Sequence, residues 1–415
     1  MNFRENKRRK WFPASFSSCL QQGGPRMSVL GIVAEYDPFH NGHLHHLQSA
    51  IAAVSPSSVL VALSGPFKQR GDPSFLSPFS RAECALKAGA DAVLSLPVLW
   101  TVRDAEHYAL GAVSVLSSLG ATHLAFGAET PDLPLLQKIA DLLEDPPGSM
   151  RNLLHRLLSE GNGYPSALSM AAGNCIPEAA SVLFHPNNIL AVCYLRAFRR
   201  LKNGMTPVII PRTGSYHAEE ADPVSPSASS VRNSILRGDW NTALRCLPYY
   251  SCNEVRSAAL SGCLPSSERL DSLLLEKIRS LSPSQASLLP DCPEGLDTAL
   301  LKAAGKARSR NELISMLTTR RYSSARISRL CTYALLGITK SHTEDNALPS
   351  SALLLGVKRN PSVTGPWKNS SVRLLSASSW KETASPQDLA AWRVWNIVCG
   401  FPSSMPFTQK LVSGK

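Results

Sequence analysis

No two cysteines in this chain stand at CxxC spacing and none clusters with histidine as a zinc site requires; the ten cysteines are scattered singly. That pattern excludes a disulfide framework and a structural zinc centre, and it fits the reduced thiols of a cytoplasmic protein. Also missing is any apolar run approaching the ~20 residues of a membrane span. The basic opening MNFRENKRRKW leads into no apolar core of a secretory signal. A soluble, cytoplasmic protein with no membrane partner is expected. Acids are the scarce charge: 31 Asp and Glu face 43 Lys and Arg, a formal net charge of +12. Such an excess favours a polyanion, nucleic acid first. Arg4, Lys7, Arg8, Arg9, Lys10 and Arg26 against Glu5 supply +5 of it, so a surplus remains in the body of the chain.

Residues 1–26 carry no hydrophobic period, and Met27 directly precedes the first apolar run. They are expected to form a basic, disordered tail, dispensable to the fold because it has no apolar surface to offset its ordering entropy. From there VLGIVA (Val29 to Ala34), SVLVALS (Ser58 to Ser64), DAVLSLP (ending at Pro97), THLAFG (Thr122 to Gly127) and TPVIIP (Thr206 to Pro211) read as strands. Helical patterns separate them, over Gly42 to about Val54, Ser80 to Ala90 and Asp104 to Leu119. Continuous apolar strands alternating with helices predict an α/β, Rossmann-like domain over 27–240, its parallel sheet covered on both faces and its ligand beyond the carboxyl ends of the strands. Residues 241–415 show helical pieces between Ser/Pro/Gly-rich connections and are expected to form a mainly helical second domain.

The densest chemical signal is Gly31 to His43, GIVAEYDPFHNGH, where a buried strand delivers His40, Gly42 and His43 to a helix start. Backbone N–H groups and the dipole at such a terminus favour anions, and imidazoles add hydrogen bonds to phosphate oxygens. When a nucleophile attacks the α-phosphate of ATP, negative charge grows on the equatorial oxygens and the leaving pyrophosphate, so donors placed there lower the barrier without transferring a proton. The bland alternative is a polar turn without a ligand, and the position at the end of the first strand weighs against it. His45 and His46 follow on the helix and read as packing or surface residues.

EYDPFHNGH, Glu35 to His43, resembles the signature of the bacterial tRNA(Met) cytidine acetate ligase family of the HxGH nucleotidyltransferase superfamily. The resemblance continues through SGPFKQRGDP (Ser64 to Pro73), SRAECALKAGADAVLSLP (Ser80 to Pro97), FGAET (Phe126 to Thr130), HPNNILA (His185 to Ala191), PRTGSYH (Pro211 to His217), SASSVRNSI (Ser227 to Ile235) and RRYSSARISRL (Arg320 to Leu330). It implies an ATP-dependent carbon–nitrogen ligase that makes acetyl-adenylate from acetate and passes the acetyl group to N4 of the wobble cytidine of elongator tRNA(Met). ATP is then the co-substrate, with Mg2+ expected to accompany it. Carried over residue by residue, the catalytic pair is His40 and His43. The nucleotide site is the run Val33, Ala34, Glu35, Tyr36, Asp37, Pro38, Phe39, His40, Asn41, Gly42, His43, Leu44, His45 and His46, with Gly127, Asn187, Asn188, Arg212 and Thr213. Gly127 would let a base or ribose lie against the backbone, an asparagine amide can read a nucleobase edge or cap a helix, and Arg212 can fork onto phosphate.

Three positions depart from the family pattern: Asp37 stands where Asn is common, Pro78 where Lys is, and Ser95 where Glu is. Asp37 would bring a negative charge near bound phosphates unless it faces away. On the RNA side, Lys302, Lys306, Arg308, Arg310, Arg320, Arg321, Arg326 and Arg329 crowd a stretch whose only acid is Glu312, and Tyr322 interleaves an aromatic. Arg70, Arg320, Arg321, Tyr322 and Arg326 are the expected tRNA contacts, the alternative being a solvated basic helix face. Two other readings stay open: adenylyl transfer to a small metabolite, against which the long basic second half argues, and a nucleotide-responsive tRNA- or ribosome-binding protein without catalysis.

Overall fold

The computed structural model describes residues 28–212, 226–344, 348–358, 367, 370–402, 404–406 and 409–414; the tail 1–26 and Thr213 lie outside the described residues. The apolar runs form strands where the sequence places them: β1 (Val29–Ala34), β2 (Ser58–Leu63), β3 (Ala92–Ser95), β4 (His123–Ala128) and β5 (Thr206–Pro211). They pair in parallel in the order β5-β4-β1-β2-β3. Side chains alternate between faces with period two. Val59, Val61 and Leu63 of β2 therefore enter one core with Leu30 and Ile32, while Leu60 and Ala62 enter a second core with Leu124 and Phe126. All six residues of β2 are buried, as expected of a central strand covered on both sides.

The chain leaves β1 toward β2 and β3, then returns to place β4 on the other flank of β1. Connections that leave neighbouring strands in opposite directions open a crevice at their carboxyl ends. Here that crevice lies between β1 and β4, with His40 following one strand and Gly127 ending the other.

The second half is mainly helical, as its sequence pattern predicts. Three strands lie among and after its helices: β6 (Ser351–Lys358), antiparallel to β3, and β7 (Arg373–Leu375) and β8 (Val412–Gly414), each parallel to β6, which complete one sheet of eight strands among the described residues. An unpaired β3 would present a row of open backbone groups, and β6 covers it. The helices between are continuous with the first core too. Tyr250, Leu274, Leu300, Ile327, Tyr333 and Trp395 share a buried cluster with Leu30 and Ile32.

The last long helix, Pro386–Cys399, locks this arrangement. Trp395 is fully buried, its indole N–H donates to the Ser74 carbonyl at 2.9 Å, and Trp392 and Phe401 flank it at 5.9 and 5.0 Å between ring centroids. Asp388 in the first turn of that helix accepts from the backbone N–H of Val98 at 2.7 Å, capping the short helix Val98–Thr101. Ser74 belongs to the loop after β2 that borders the site, so the C-terminus supports the site from beneath. Trp395→Ala should cost ~3–5 kcal/mol in urea unfolding. Trp395→Phe should cost less but leave the Ser74 carbonyl unpaired, a loss of ~1–3 kcal/mol. Equal stabilities of wild type and Trp395→Ala would show that the helix does not brace the loop.

Candidate active site

His40 closes the turn after β1 and caps the helix Asn41–Val54. Its Nδ1 accepts from the backbone N–H of Gly42 at 3.1 Å and of His43 at 3.4 Å, while the His40 N–H reaches the His43 Nδ1 at 3.3 Å. This is a capping box built from two histidines, in which each side chain satisfies a backbone donor of the other end. The rings stack at 3.6 Å and 21°. With Nδ1 acting as acceptor, the His40 proton sits on Nε2. Burial first, then the Arg212 and Arg232 charges, push its pKa down to about 3. His43 is also held well below the ordinary range, by burial and by His40 and Arg212, with a hydrogen bond to the Pro38 backbone opposing them. Both rings are therefore neutral near pH 7; the His40 Nε2–H is a hydrogen-bond donor, while the single N–H of neutral His43 is directed to the Pro38 carbonyl.

The rest of the signature builds this turn. Val33 and Ala34 end β1; Tyr36 takes a left-handed φ of 48° and packs its buried ring 4.7 Å from Phe39, which is fully buried. Pro38 supplies the carbonyl beside His43. Asn41 is tied outward, its backbone N–H to the Cys246 carbonyl at 2.9 Å and its Nδ2 to the Arg245 carbonyl at 3.0 Å. Leu44 packs on the first core, and His45 is exposed. His46 has a buried Nε2 with no hydrogen-bond partner, and burial followed by the Arg212 charge lowers its pKa to about 4.

Asp37 faces away from the crevice. Its Oδ1 accepts from the Phe75 N–H at 2.6 Å, and Oδ2 lies 3.0 Å from Lys68 Nζ and 3.6 Å from the Arg232 guanidinium. Burial raises its pKa, but the Lys68, Arg232 and Arg81 charges outweigh that and hold the carboxyl below its ordinary value. Arg81, also fully buried, donates to the carbonyls of Glu35 and Gly65 at 2.6 Å and of Leu76 at 3.2 Å, joining the ends of β1 and β2. Glu35 in turn accepts from the Gln69 N–H at 2.8 Å. The other two departures are equally local: Pro78 occupies the first turn of helix Pro78–Ala88, where its missing N–H costs nothing, and Ser95 hydrogen-bonds the Leu96 carbonyl at 3.3 Å.

Across the crevice, Gly127 lies against the Arg212 side chain. A Cβ there would meet Arg212 Cγ at 3.0 Å, so the glycine makes room for the arginine stem. Arg212 reaches the Asn187 Oδ1 at 3.2 Å. The two asparagines diverge. Asn188 is fully buried and spends its amide on Thr130, accepting from its N–H and donating to its Oγ1, both at 3.0 Å, which removes it from base reading. Helix Pro186–Leu201 is capped by neither: Glu129, which the sequence reading passed over, accepts from the Asn188 N–H at 3.0 Å and the Asn187 N–H at 3.4 Å. Its place in FGAET, just past a strand end, was the available signal.

The basic stretch sorts by burial. Arg310 is buried, pairs with Asp72 at 2.8 Å and donates to Ser328 Oγ, so it belongs to the interior and not to an RNA face. Arg326 donates to the Asp291 carbonyl at 2.8 and 3.1 Å and lies 5.2 Å from the Tyr322 ring; Arg329 sits 3.8 Å from Asp291. Arg70, Arg320 and Arg321 are exposed, Arg320 bound to Asn162 and Arg321 over Tyr322 at 5.8 Å. Gly71 (φ 87°) lets the Arg70 loop meet helix Ser324–Leu336: a Cβ would lie 2.6 Å from Thr332 Oγ1, which donates to the Gly71 carbonyl. A cleft of about 900 Å³ elsewhere, lined by Glu268, Asp271 and Glu276 with Arg279, Lys306 and Arg308, shares no residue with the histidine turn, and its acids disfavour a triphosphate.

A depressed carboxyl stabilises the fold at every pH above its unfolded pKa, near ~3.9, and that contribution is lost as pH falls through the folded value. Asp37→Asn leaves Lys68 buried without its counter-charge, so it should lose ~3–5 kcal/mol at pH 7. The gap between wild type and variant in urea unfolding should narrow as pH falls from 5 to 2. A gap independent of pH would mean that Asp37 is not held as a carboxylate by these cations.

A family model described as HIGH Nucleotidyl Transferase matches residues 27–396. The chain is 34% identical over 348 residues to the tRNA(Met) cytidine acetate ligase of Kosmotoga olearia, covering 80% of this chain and 81% of that one. It is 35% identical over 326 residues to the enzyme of the same name from Syntrophomonas wolfei, covering 77% and 78%. Thermotoga maritima TmcAL in its apo crystal form superposes with a TM-score of 0.88 at 26% identity, covering 93% of this chain and 99% of that one. Its crystal form bound with alpha-thio ATP gives a TM-score of 0.85. With most of its length matched, the chain belongs to the HIGH nucleotidyl transferase family, among the tRNA(Met) cytidine acetate ligases.

Proposed function

We infer that the protein is an ATP-dependent ligase that activates acetate as acetyl-adenylate and transfers the acetyl group to N4 of the wobble cytidine of elongator tRNA(Met). The observation that carries this is the neutral, stacked His40–His43 pair at a helix N-terminus with Arg212 close enough to depress both rings. Acetate oxygen attacks the α-phosphorus of ATP and pyrophosphate leaves. The His40 Nε2–H and the Arg212 guanidinium are donors for the charge that grows there, and His43 holds the His40 ring by stacking on it and accepting from its backbone N–H. The cytidine amine then attacks the acetyl carbonyl, AMP departs, and the amine loses a proton. Among the described residues no group of three or more His, Cys, Asp or Glu is placed to hold a metal, so Mg2+ is proposed to ride on the ATP phosphates. Among the described residues no helix is long and apolar enough to cross a membrane; a cytoplasmic location fits a tRNA substrate.

His40→Ala and His43→Ala should each slow acetate-dependent ATP–pyrophosphate exchange ~100-fold or more. His40→Asn should keep the helix cap that His40→Ala loses, so matched losses of activity in the two would separate donation from folding. Because both rings are already neutral, the wild-type rate should show no histidine limb between pH 5 and 8. Wild-type exchange in His43→Ala would remove the site assignment.

On the RNA side, Arg320→Glu/Arg321→Glu should weaken tRNA binding and flatten its salt dependence, since fewer counterions are released, while acetate activation stays near normal. An unchanged salt slope would make this stretch a solvated surface.

A further inference from the structure

We propose that the face formed by Arg245, Tyr249, Asn253 and Arg256, beside the histidine turn, is a second RNA-binding surface that holds unpaired nucleotides of the tRNA at the mouth of the site. The inference rests on the reading of the protein as a tRNA-modifying enzyme. Its starting point is where the turn is anchored: Asn41 of HNGH binds the carbonyls of Arg245 and Cys246 through its side chain and backbone at 3.0 and 2.9 Å. Helix Trp240–Arg245 therefore ends directly against the catalytic turn. Helix Tyr249–Leu260 starts after it, and Tyr250 fixes its first turn to the site, its ring 6.1 Å from Phe39.

Tyr249 lies one ring further out, 5.2 Å from Tyr250, and is 77% exposed. A large aromatic with no cover next to a nucleotide site is a stacking platform for any base, since every base has a π-face. Positions 249, 253 and 256 recur at helical spacing, so Asn253 and Arg256 stand on the same stripe as Tyr249. Asn253, Arg256 and Arg245 are exposed, and neither arginine is in an ion pair among the described residues. Unpaired guanidiniums flanking an open ring match the phosphates on either side of a stacked base. The charge count of the sequence does not single these residues out, because they are spread through a stretch containing Asp239 and Glu254.

The test is binding of an elongator tRNA(Met) transcript, followed by fluorescence polarisation across a salt titration, with melting temperature as the control for folding. Tyr249→Ala should lower affinity about 5-fold or more, and Tyr249→Phe, which keeps the ring, should bind like wild type. Arg245→Glu and Arg256→Glu should each weaken binding and reduce the salt slope by about one. Acetate-dependent ATP–pyrophosphate exchange should be unchanged in all four. Wild-type affinity and slope throughout would overturn the proposal. So would light scattering that shows an oligomer dissolved by Tyr249→Ala, because the face would then join two copies of this chain. A wild type that binds tRNA through this face yet makes no acetylcytidine would leave the surface standing and overturn the proposed activity. Acetylation undisturbed by the four substitutions, with unchanged binding, would do the reverse.

Discussion

Compensation of buried charge governs the carboxyl end of this sheet. Arg81, Lys68 and Arg232 converge on the single buried carboxylate of Asp37, while Arg81 also gathers the backbone carbonyls of Glu35, Gly65 and Leu76. Burying such charges is tolerable only when they are paired or their hydrogen bonds are met. Once they are met, the ends of β1 and β2, the loop from Ser64 to Ser74 and the helix Ala228–Leu236 cannot move independently. The histidine turn inherits that rigidity. Arg232 donates to the Asp37 backbone carbonyl as well as facing its carboxylate, and the turn from Tyr36 to His40 is held between this cluster and the cap of the first helix.

Catalysis by hydrogen-bond donation requires such a frame. A donor that must reorganise as charge develops forfeits part of its benefit, and a preorganised one does not. His40 is preorganised by an unusual economy: the nitrogen that caps the helix leaves the other nitrogen carrying the proton. Arg212, on the opposite wall, adds charge while discouraging protonation of the rings. The pair stays neutral because burial and a neighbouring cation act in the same direction on an imidazole, whereas on the Asp37 carboxyl they oppose each other and the cations prevail.

The five parallel strands were legible because each is a compact apolar run, and the crevice was legible because strand ends carry the motif. The edge was not. β7 and β8 are three residues each, too short for any period, and β6 finds its partner β3 more than 250 positions back in the chain. Partnership also decided which site residues were read correctly. Asp37 looked hazardous because a sequence shows its charge but not Lys68 beside it. Asn187 and Asn188 looked alike because neighbours on a helix point about 100° apart only once the helix exists, and there one meets Arg212 and the other Thr130.

The same distinction changes what a net charge of +12 means. Arg81 and Arg310 are interior, Arg326 is spent on the Asp291 carbonyl, and Arg196 and Arg200 share Glu106 and Glu144. None of these is available to a polyanion, however large its contribution to the total. Arg310 shows what an interior arginine does instead. Paired with Asp72 and bound to Ser328, which itself donates to the Arg70 carbonyl, it fastens the loop after β2 to helix Ser324–Leu336. Exposed Arg321 lies just ahead of that helix, beside Tyr322. A cation that holds the two regions in register fixes where the exposed cations stand, and a count of basic residues gives it the wrong role with the right sign.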